Sequence, residues 1–469
     1  MKLFRNAGLI MMLAVLSPVR PLSAQVATPK AEAFTLQRTV SYSLNHYPAV
    51  RAALERIRAA QGQVSLASTS YLPSTNLLWQ SNRATTNNIF GLLFPQGTVP
   101  SISGPVLPVT SNRSVWGSAG GVLVSWEPLD FGYRRATVNV ARAGESITRA
   151  QSDVTQLDVA TTAAQAFLSL LASEQVVRAA QANADRWAVF ATSVHALVDN
   201  QLRPGADASR ADAELAVART QLIHAQTSER LNRATLAHIM GMPGTRVEID
   251  PGELLTSLPE ESIPLLAPVS HPAAAAQKAL IEQVKAERQA LNRSFVPRFL
   301  TQASLSGRGS GANTDGTYAQ GLNGLGLERM NYAVGITATF PLFDFFSLRA
   351  RKKIAAANER AEEARYDQTL QDLTDKTEQA RATLDGARQV ARNTPIELQA
   401  ARTGETQAKA RYQAGLATIV EVSEAEGLLV QAEIDDALAR LNVWQGLLGV
   451  AAAQGRLDPF LQLLSDGTP

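Results

Sequence analysis

The chain has 469 residues, a formal net charge of +2 and no cysteine. The lack of cysteine excludes disulfides, thiolate metal sites, a nucleophilic cysteine and a lipid-modified cysteine. A charge so close to neutral gives no electrostatic reason to expect a nucleic acid as partner. We therefore expect neither cysteine chemistry nor nucleic-acid binding.

The first residues, 1–24, have the order of a secretory signal peptide. Basic residues precede an apolar run at 7–16, and Ser23-Ala24 supply small side chains for cleavage. The apolar run is shorter than the roughly 20 residues that a membrane-spanning helix needs. Removing this segment deletes three basic residues and no acid, so the net charge changes from +2 to −1. The sequence therefore predicts an exported protein with a nearly neutral surface.

The first half of the mature chain changes from a helical to a strand-like pattern and back. Residues 25–242 are predicted to contain a helix, barrel strands at about 72–86 and 114–127, and a helical hairpin at about 131–241. In the first strand, Leu77 and Trp79 alternate with Asn76 and Gln80, which gives it one apolar and one polar face. Between the strands, residues 87–113 are rich in Gly, Pro and Asn and are expected to form a long loop.

A second half repeats this order after a proline-punctuated linker. The linker is residues 243–271, and residues 272–455 are predicted to contain a helix, strands at about 297–307 and 330–341 and a helical hairpin at about 345–455, followed by a tail at 456–469. Phe295-Val296-Pro297 corresponds to Tyr71-Leu72-Pro73. Such self-similarity indicates a tandem duplication. The predicted fold class is therefore mainly α with a small β part, a duplicated strand pair plus long helical hairpin.

Neither the strands nor the helices can complete a structure within one chain. Four strands are fewer than the about 8 that a closed membrane barrel requires, so other copies must supply the rest. Two copies reach the minimum and three give about 12 strands, and the strand count alone does not choose between them. Helices of about 100 Å with Ala-rich seams also require neighbours side by side. We therefore expect an oligomer.

Four segments resemble those of the TolC-like outer-membrane efflux and secretion proteins. They are His46-Tyr47-Pro48-Ala49-Val50-Arg51, Tyr71-Leu72-Pro73, Pro128-Leu129-Asp130-Phe131 and the stretch 410–422 around Ala414-Gly415-Leu416. The resemblance covers nearly the whole mature chain. It implies a homotrimer with a 12-stranded β-barrel, four strands from each chain, continued by a periplasmic α-helical barrel.

The same resemblance implies a function and a location. Members of the family are passive exit ducts of tripartite efflux or type I secretion systems. They work with a periplasmic adaptor and an inner-membrane transporter, and they sit in the lipid of the outer membrane of Gram-negative-type bacteria, with a large part in the periplasm. The chain is therefore not expected to be an enzyme or to carry a cofactor or metal.

Gate residues follow from the resemblance by position. Tyr412 matches a lock tyrosine, and Glu421 and Glu424 match acids that ring the periplasmic constriction. Asp212 lies one residue out of register with a further acidic position. Ala417 occupies the position of a lock arginine, which is a departure from the family. The resemblance therefore implies a gate at the second hairpin turn without its usual arginine.

The two hairpin turns are predicted to project furthest from the membrane and to dock the adaptor. The residues concerned are Arg203, Pro204 and Gly205 in the first turn and Gly415, Leu416, Ala417 and Thr418 in the second. Gly415 ends a helix and is suited to a left-handed C-cap. Turn chemistry alone also accounts for the Gly and Pro residues. Leu416 is the expected exposed apolar contact.

Alternatives stay open at the level of the sequence. A pore-less exported coiled-coil scaffold or adhesin would also have long helices, but it has no need of two-faced strands flanked by Trp and Phe. Within the duct interpretation, drugs, metals, other small molecules and proteins are all possible cargo. The histidines are isolated in sequence, and His195 is predicted to be packed on an apolar seam.

Overall fold

The structure is a computed structural model that describes residues 33–85, 88–90, 103–106, 112–256, 258–259, 263–313, 317–340 and 344–464. The predicted signal peptide and most of the expected loop at 87–113 lie outside these ranges. The helices are α1 (Leu36–His46), α2 (Pro48–Ser68), α3 (Tyr133–Asp199), α4 (Gly205–Ile239), α5 (Pro272–Arg293), α6 (Phe345–Gln413), α7 (Ile419–Ala453) and α8 (Asp458–Gln462). The strands are β1 (Ser74–Thr85), β2 (Asn88–Phe90), β3 (Ser103–Val106), β4 (Ser114–Leu129), β5 (Arg298–Ser310) and β6 (Arg329–Thr339).

Two helices dominate the chain. α3 has 67 residues and α6 has 69, so each is about 100 Å long. Pro395 lies inside α6, and the helix continues on both sides of it. Each long helix is followed by an antiparallel partner of 35 residues, α4 or α7. The mainly helical class with a small sheet and two long helical hairpins is confirmed for the single chain.

The sheet is antiparallel, with strand order β1-β4-β5-β6. Its register aligns apolar side chains across all four strands: Leu77 pairs with Val122, Val122 with Leu305, and Leu305 with Tyr332. These four side chains are between 38% and 85% exposed. One face of the sheet is therefore apolar and uncovered in the single chain, as the alternation in the sequence predicts.

The short pair β2-β3 lies within the segment predicted as a loop. Asn88 pairs with Val106, and Phe90 pairs with Ser103. Strands of three and four residues are too short to produce a readable alternation, so these two strands were not predicted.

The main core lies where both hairpins pass the linker. Phe167 and Leu171 of α3 pack in one cluster with Leu236 of α4 and with Trp444 and Leu448 of α7. Segments outside the hairpins seal this cluster, and they contribute Leu36, Val247, Leu254, Ile263, Leu457 and Phe460. Among the described residues, no helix combines the length and the hydropathy that a membrane span requires.

The two hairpin turns differ in backbone. In the first, Gln201 has a φ of +59° and Pro204 precedes α4. In the second, Gly415 has a φ of +78°, which confirms the predicted left-handed cap. The N–H of Leu416 donates to the carbonyl of Arg411 at 2.8 Å, so the last turn of α6 is closed by its own cap.

Candidate gate at the helical turns

The candidate gate centres on Tyr412, in the last turn of α6. Its side chain is fully buried. The ring lies 5.4 Å from that of Phe190, which in turn makes an edge contact with Trp187 at 5.6 Å. Ile419 and Val422 of α7 belong to the same cluster. The end of one hairpin is therefore packed against the end of the other through an aromatic core.

A hydrogen bond ties this tyrosine to the first hairpin. The Tyr412 hydroxyl donates to Oδ2 of Asp207 at 2.8 Å. Asp207 lies in the first turn of α4, where the helix dipole stabilises a carboxylate. Burial, together with the hydrogen bond and charge of Asp207, raises the pKa of Tyr412 to about 12. The hydroxyl is therefore protonated and able to donate at physiological pH.

The guanidinium of Arg203 lies against Tyr412, whereas Ala417 has no side chain that could do so. Its Cζ lies 4.2 Å from the centroid of the Tyr412 ring, and its Nη2 donates to the Tyr412 carbonyl. Ala417 is buried in the same cluster, at 6% exposure. An arginine from the opposite hairpin thus contacts both the ring and the carbonyl of Tyr412. The sequence offered no signal for this, because Arg203 and Tyr412 are 209 positions apart.

The predicted acids have different environments. Glu421 caps α7: its Oε1 accepts from the N–H of Thr418 at 3.1 Å, while the Thr418 hydroxyl accepts from the N–H of Glu421 at 3.4 Å. Arg411 lies 3.7 Å from the same carboxylate. Glu424 is exposed one turn further along. The structure thus gives Glu421 a local structural role and leaves the Glu424 carboxylate in solvent.

Asp212 contacts His195 rather than Tyr412. Nε2 of His195 and Oδ1 of Asp212 are 2.9 Å apart, and both side chains are exposed. The hydrogen bond to Asp212 and its charge raise the pKa of His195. The prediction of a packed His195 is wrong, because the ring turns away from the apolar seam toward α4. Asp207, five residues before Asp212, is the acid that reaches the tyrosine.

A network of buried charges that the sequence did not predict lies beyond the aromatic cluster. Arg186 of α3 contacts Glu426 at 3.1 Å and Glu433 at 3.0 Å, both on α7. Lys409 of α6 contacts Glu426 and also Glu405. Burial alone would raise the pKa of Glu405, but Lys409 holds it below its ordinary value. Glu426 and Glu433 lie one heptad apart, and this spacing beside an apolar seam is the signal that could have indicated the network.

The predicted docking residues fall into two groups. Pro204, Gly205, Gly415, Leu416 and Thr418 are exposed. Arg203 is half-buried on Tyr412 and Ala417 is buried, so these two offer little surface in the single chain. Leu416 is 71% exposed, and Leu202 of the other turn, which the sequence reasoning did not single out, is 69% exposed. Each of the two turns thus presents one exposed leucine.

Comparison with known proteins identifies the class to which this architecture belongs. A family model described as outer membrane efflux protein matches residues 39–242 and 265–456. The chain therefore belongs to the outer membrane efflux protein family. It is an outer-membrane protein of an efflux channel family, which rules out the pore-less scaffold.

Particular relatives agree with this assignment. The pyoverdine export outer membrane protein OpmQ of Pseudomonas aeruginosa is 24% identical over 418 residues, which cover 86% of this chain and 81% of that protein. The structure of VceC from Vibrio cholerae matches with a TM-score of 0.69 at 19% identity, covering 90% of this chain and 96% of that one. The open state of the MtrE channel of Neisseria gonorrhoeae matches with a TM-score of 0.70 at 18% identity, covering 90% and 89%. At these identities the structural matches show the fold.

Proposed function

We propose that three copies of this chain form the exit duct of a tripartite efflux system, closed at the helical turns by the contacts of Tyr412 with Asp207 and Arg203. The open sheet carries this proposal. Within the described sheet, β1 and β6 each pair with one strand only, so each leaves one edge of backbone groups unpaired. Hydrocarbon does not hydrogen bond to backbone groups, so neighbouring copies must pair these edges.

The helical part supports the same assembly. Side by side, the two hairpins of each copy form a wall one helix thick, with the two turns at the end remote from the sheet. Energy for transport comes from an inner-membrane transporter, and a periplasmic adaptor joins that transporter to the turns. OpmQ is named for pyoverdine export, and this supports small molecules as the cargo class.

Conductance tests the duct and its gate together. Wild-type protein in planar bilayers is expected to show small, mostly closed channels. Tyr412→Phe, which removes only the hydroxyl that bonds Asp207, is expected to raise the open probability about tenfold, since a hydrogen bond to a charged group contributes about 1.5–3 kcal/mol. Tyr366→Phe, on the same helix and half-buried, is the matched control. Equal conductance in all three proteins would refute the gate, and a purified monomer without conductance would refute the duct.

We further propose that Glu424, repeated by symmetry, attracts cations at the mouth of the duct, with Glu421 acting there through its helix cap. Glu424→Gln is expected to lower the cation selectivity of single channels without changing stability. Glu421→Gln is expected to lower stability by about 1 kcal/mol, because it weakens the capping box. Unchanged selectivity in the Glu424 variant would remove the ring proposal.

The exposed leucines of the turns are the proposed adaptor contact. Leu416→Asp and Leu202→Asp are expected to abolish crosslinking to the adaptor and efflux, because a buried charge at an interface is costly. Leu231→Asp on α4 is the control, since Leu231 is 65% exposed but lies in the body of the helix. Retained crosslinking and efflux in both turn variants would show that the adaptor binds elsewhere.

A further inference from the structure

The chain passes between the sheet and the helices at only one end of the sheet, in all four described connections. Leu129 at the end of β4 pairs with Phe299, and Phe299 pairs with Ala338 near the end of β6. Ser74, which begins β1, pairs with Ser125 at the same end. The sheet-proximal ends of the helices that enter or leave it, α2, α3, α5 and α6, are therefore gathered at one level.

Three of these helix ends are strongly basic. In residues 131–144, 288–294 and 345–358 there is no Asp or Glu. The same segments contain Arg134, Arg135, Arg142, Arg288, Arg293, Arg349, Arg351, Lys352 and Lys353. Two of these are used internally: Arg134 binds Asp130 at 2.9 Å, and Arg288 binds Glu359 at 2.7 Å. The remaining positive charge faces solvent.

The first turns of α6 arrange aromatic and basic residues on one face. At 100° per residue, Phe345, Phe346, Arg349, Lys352 and Lys353 fall within about 120° of helix surface. Phe345 is 59% exposed and Phe346 is 82% exposed, and the three basic residues are also exposed. The aromatic rings lie nearest the sheet, and the basic side chains follow about one to two turns further from it.

Arg135 and Arg293 add positive charge near the sheet on the neighbouring helices. An open cleft of about 790 Å³ lies between α3 and α5, and both arginines line it together with the exposed Phe131. The ion pair of Arg288 with Glu359 sets the register of α5 against α6. Arg293 lies five residues further toward the sheet on α5 and Lys353 lies six residues further on α6, so the two residues are at about the same axial level. We call Arg135, Arg293, Arg349, Lys352 and Lys353 the basic belt.

Among the described residues, none of the five basic side chains of the belt forms an ion pair. Three of the five lie in the first turns of α6, where the helix dipole disfavours cations, and the one acid at this helix start is the N-cap Asp344. Like charges this close also repel one another, and a bound external anion relieves that repulsion. Long basic side chains below exposed aromatic rings are suited to phosphate groups at a membrane interface.

We propose that the basic belt binds the headgroups of anionic phospholipids in the periplasmic leaflet of the outer membrane, with Phe345, Phe346 and Phe131 at the boundary of the acyl chains. This rests on the placement of the sheet in the membrane. The belt lies about 6–12 Å into α6, within the reach of long side chains to the headgroup layer. It anchors the duct at a fixed depth and orientation.

Lipid titration of the purified full-length protein tests the proposal. Binding of phosphatidylglycerol and of phosphatidylcholine is measured by native mass spectrometry in mild detergent. Wild-type protein is expected to bind phosphatidylglycerol selectively, and millimolar inorganic phosphate is not expected to compete. The triple variant Arg349→Gln, Lys352→Gln and Lys353→Gln is expected to bind it about 100-fold more weakly, since each basic residue near an anionic surface contributes roughly fivefold.

A matched control neutralises three exposed arginines further along α6, Arg381, Arg392 and Arg402. It is expected to bind phosphatidylglycerol like the wild type, as is the charge-retaining variant Arg349→Lys, Lys352→Arg and Lys353→Arg. Equal loss in the control, equal binding of phosphatidylcholine, or full binding by the triple Gln variant would overturn the proposal. Loss of adaptor crosslinking in the triple Gln variant, with its lipid binding retained, would also overturn the proposal.

Conductance of the triple Gln variant in phosphatidylcholine bilayers separates this proposal from the proposed duct. We expect wild-type conductance there, because the belt does not line the turns. If the triple Gln variant conducts and binds phosphatidylglycerol with unchanged affinity, only the proposal of lipid binding by the basic belt is refuted. A wild-type protein that binds phosphatidylglycerol but never conducts refutes the duct alone.

Discussion

An arginine lies against a tyrosine both at the sheet end of α3 and at the turn end of α6, but the two contacts are built differently. Near the sheet, Arg134 is 7% exposed and lies 5.3 Å from the ring of Tyr71. It also donates to Asp130 at 2.9 Å, to the carbonyl of Ser70 at 2.9 Å and to the carbonyl of Glu127. At the turns, within the part of the chain that the structure describes, the hydrogen bond and the ring contact of Arg203 both go to Tyr412.

The difference separates a permanent joint from a breakable one. Arg134 binds three segments of one crossing, 70–71, 127 and 130, so releasing it would expose a buried carboxylate and several carbonyls together. The contact of Arg203 joins the turn ends of two hairpins that also meet in the main core. It is held by two contacts with Tyr412 beside an aromatic cluster that has fewer buried residues than the main core, so a shift of the turns can break it at a smaller cost.

The largest expected effect is on the joint near the sheet. Arg134→Ala leaves Asp130 buried without its partner, and we expect a loss of about 3–5 kcal/mol in the free energy of unfolding. The yield of the oligomer on unheated gels should fall together with the free energy of unfolding. Arg142→Ala, an exposed arginine two turns along the same helix, is the control. If the thermal midpoints of the two variants coincided, Arg134 would not be a structural joint.

The next largest expected effect is on the ion pairs around Glu426, which lie between the two ends. Glu426→Gln removes the buried carboxylate shared by Arg186 and Lys409, and we expect about 2–3 kcal/mol of destabilisation, because it leaves two half-buried cations with too few partners. Chemical unfolding measures it. Glu424→Gln, two residues earlier and exposed, should change stability by less than about 0.5 kcal/mol. Equal stability of the two variants would show that the network carries no net energy.

The arginine at the turns should affect opening more than folding. Arg203→Gln removes the cation above Tyr412, and we expect the closed state to weaken by about 1–2 kcal/mol. Open probability in single-channel recordings should rise by about tenfold with an unchanged thermal midpoint. Arg210→Gln, which breaks only an exposed pair with Glu214, is the control. A drop in the thermal midpoint as large as that of Arg134→Ala would abolish the distinction between the two ends.

The smallest effect concerns His195 and Asp212. The hydrogen bond and the charge of Asp212 raise the pKa of His195 above its ordinary 6.5. The protonated pair therefore stabilises the turn region fully below pH 6.5, and this contribution is lost as the pH rises through the folded pKa. Titration of the His195 ring by NMR should show the raised pKa in the wild type and its return toward 6.5 in Asp212→Asn. Identical titration curves would mean that the pair does not form in solution.

Local pattern made much of the architecture predictable. The alternation of Leu77 and Trp79 with polar residues predicts a two-faced strand, and the heptad-like seams predict long helices. Gly415 predicts its own left-handed φ, because only a residue without Cβ adopts it without strain. The short strands β2 and β3 escaped prediction because three or four residues carry no period.

The gate shows the limit of local pattern. Resemblance indicated Tyr412, placed Asp212 one residue out of register with a family acid, and showed Ala417 where the family has its lock arginine. The tertiary structure brings Asp207 to the Tyr412 hydroxyl and Arg203 to the Tyr412 ring.

The sequence by itself thus determined the elements, their duplication and the need for other copies, because propensity and periodicity are local properties. Only the tertiary structure decided which side chains meet: Tyr412 with Arg203, Arg186 with Glu426, and Arg288 with Glu359. The physical reason is that the azimuth and axial register of one long helix against another depend on packing along its whole length. A shift of a single residue turns a side chain by about 100° and exchanges its partner.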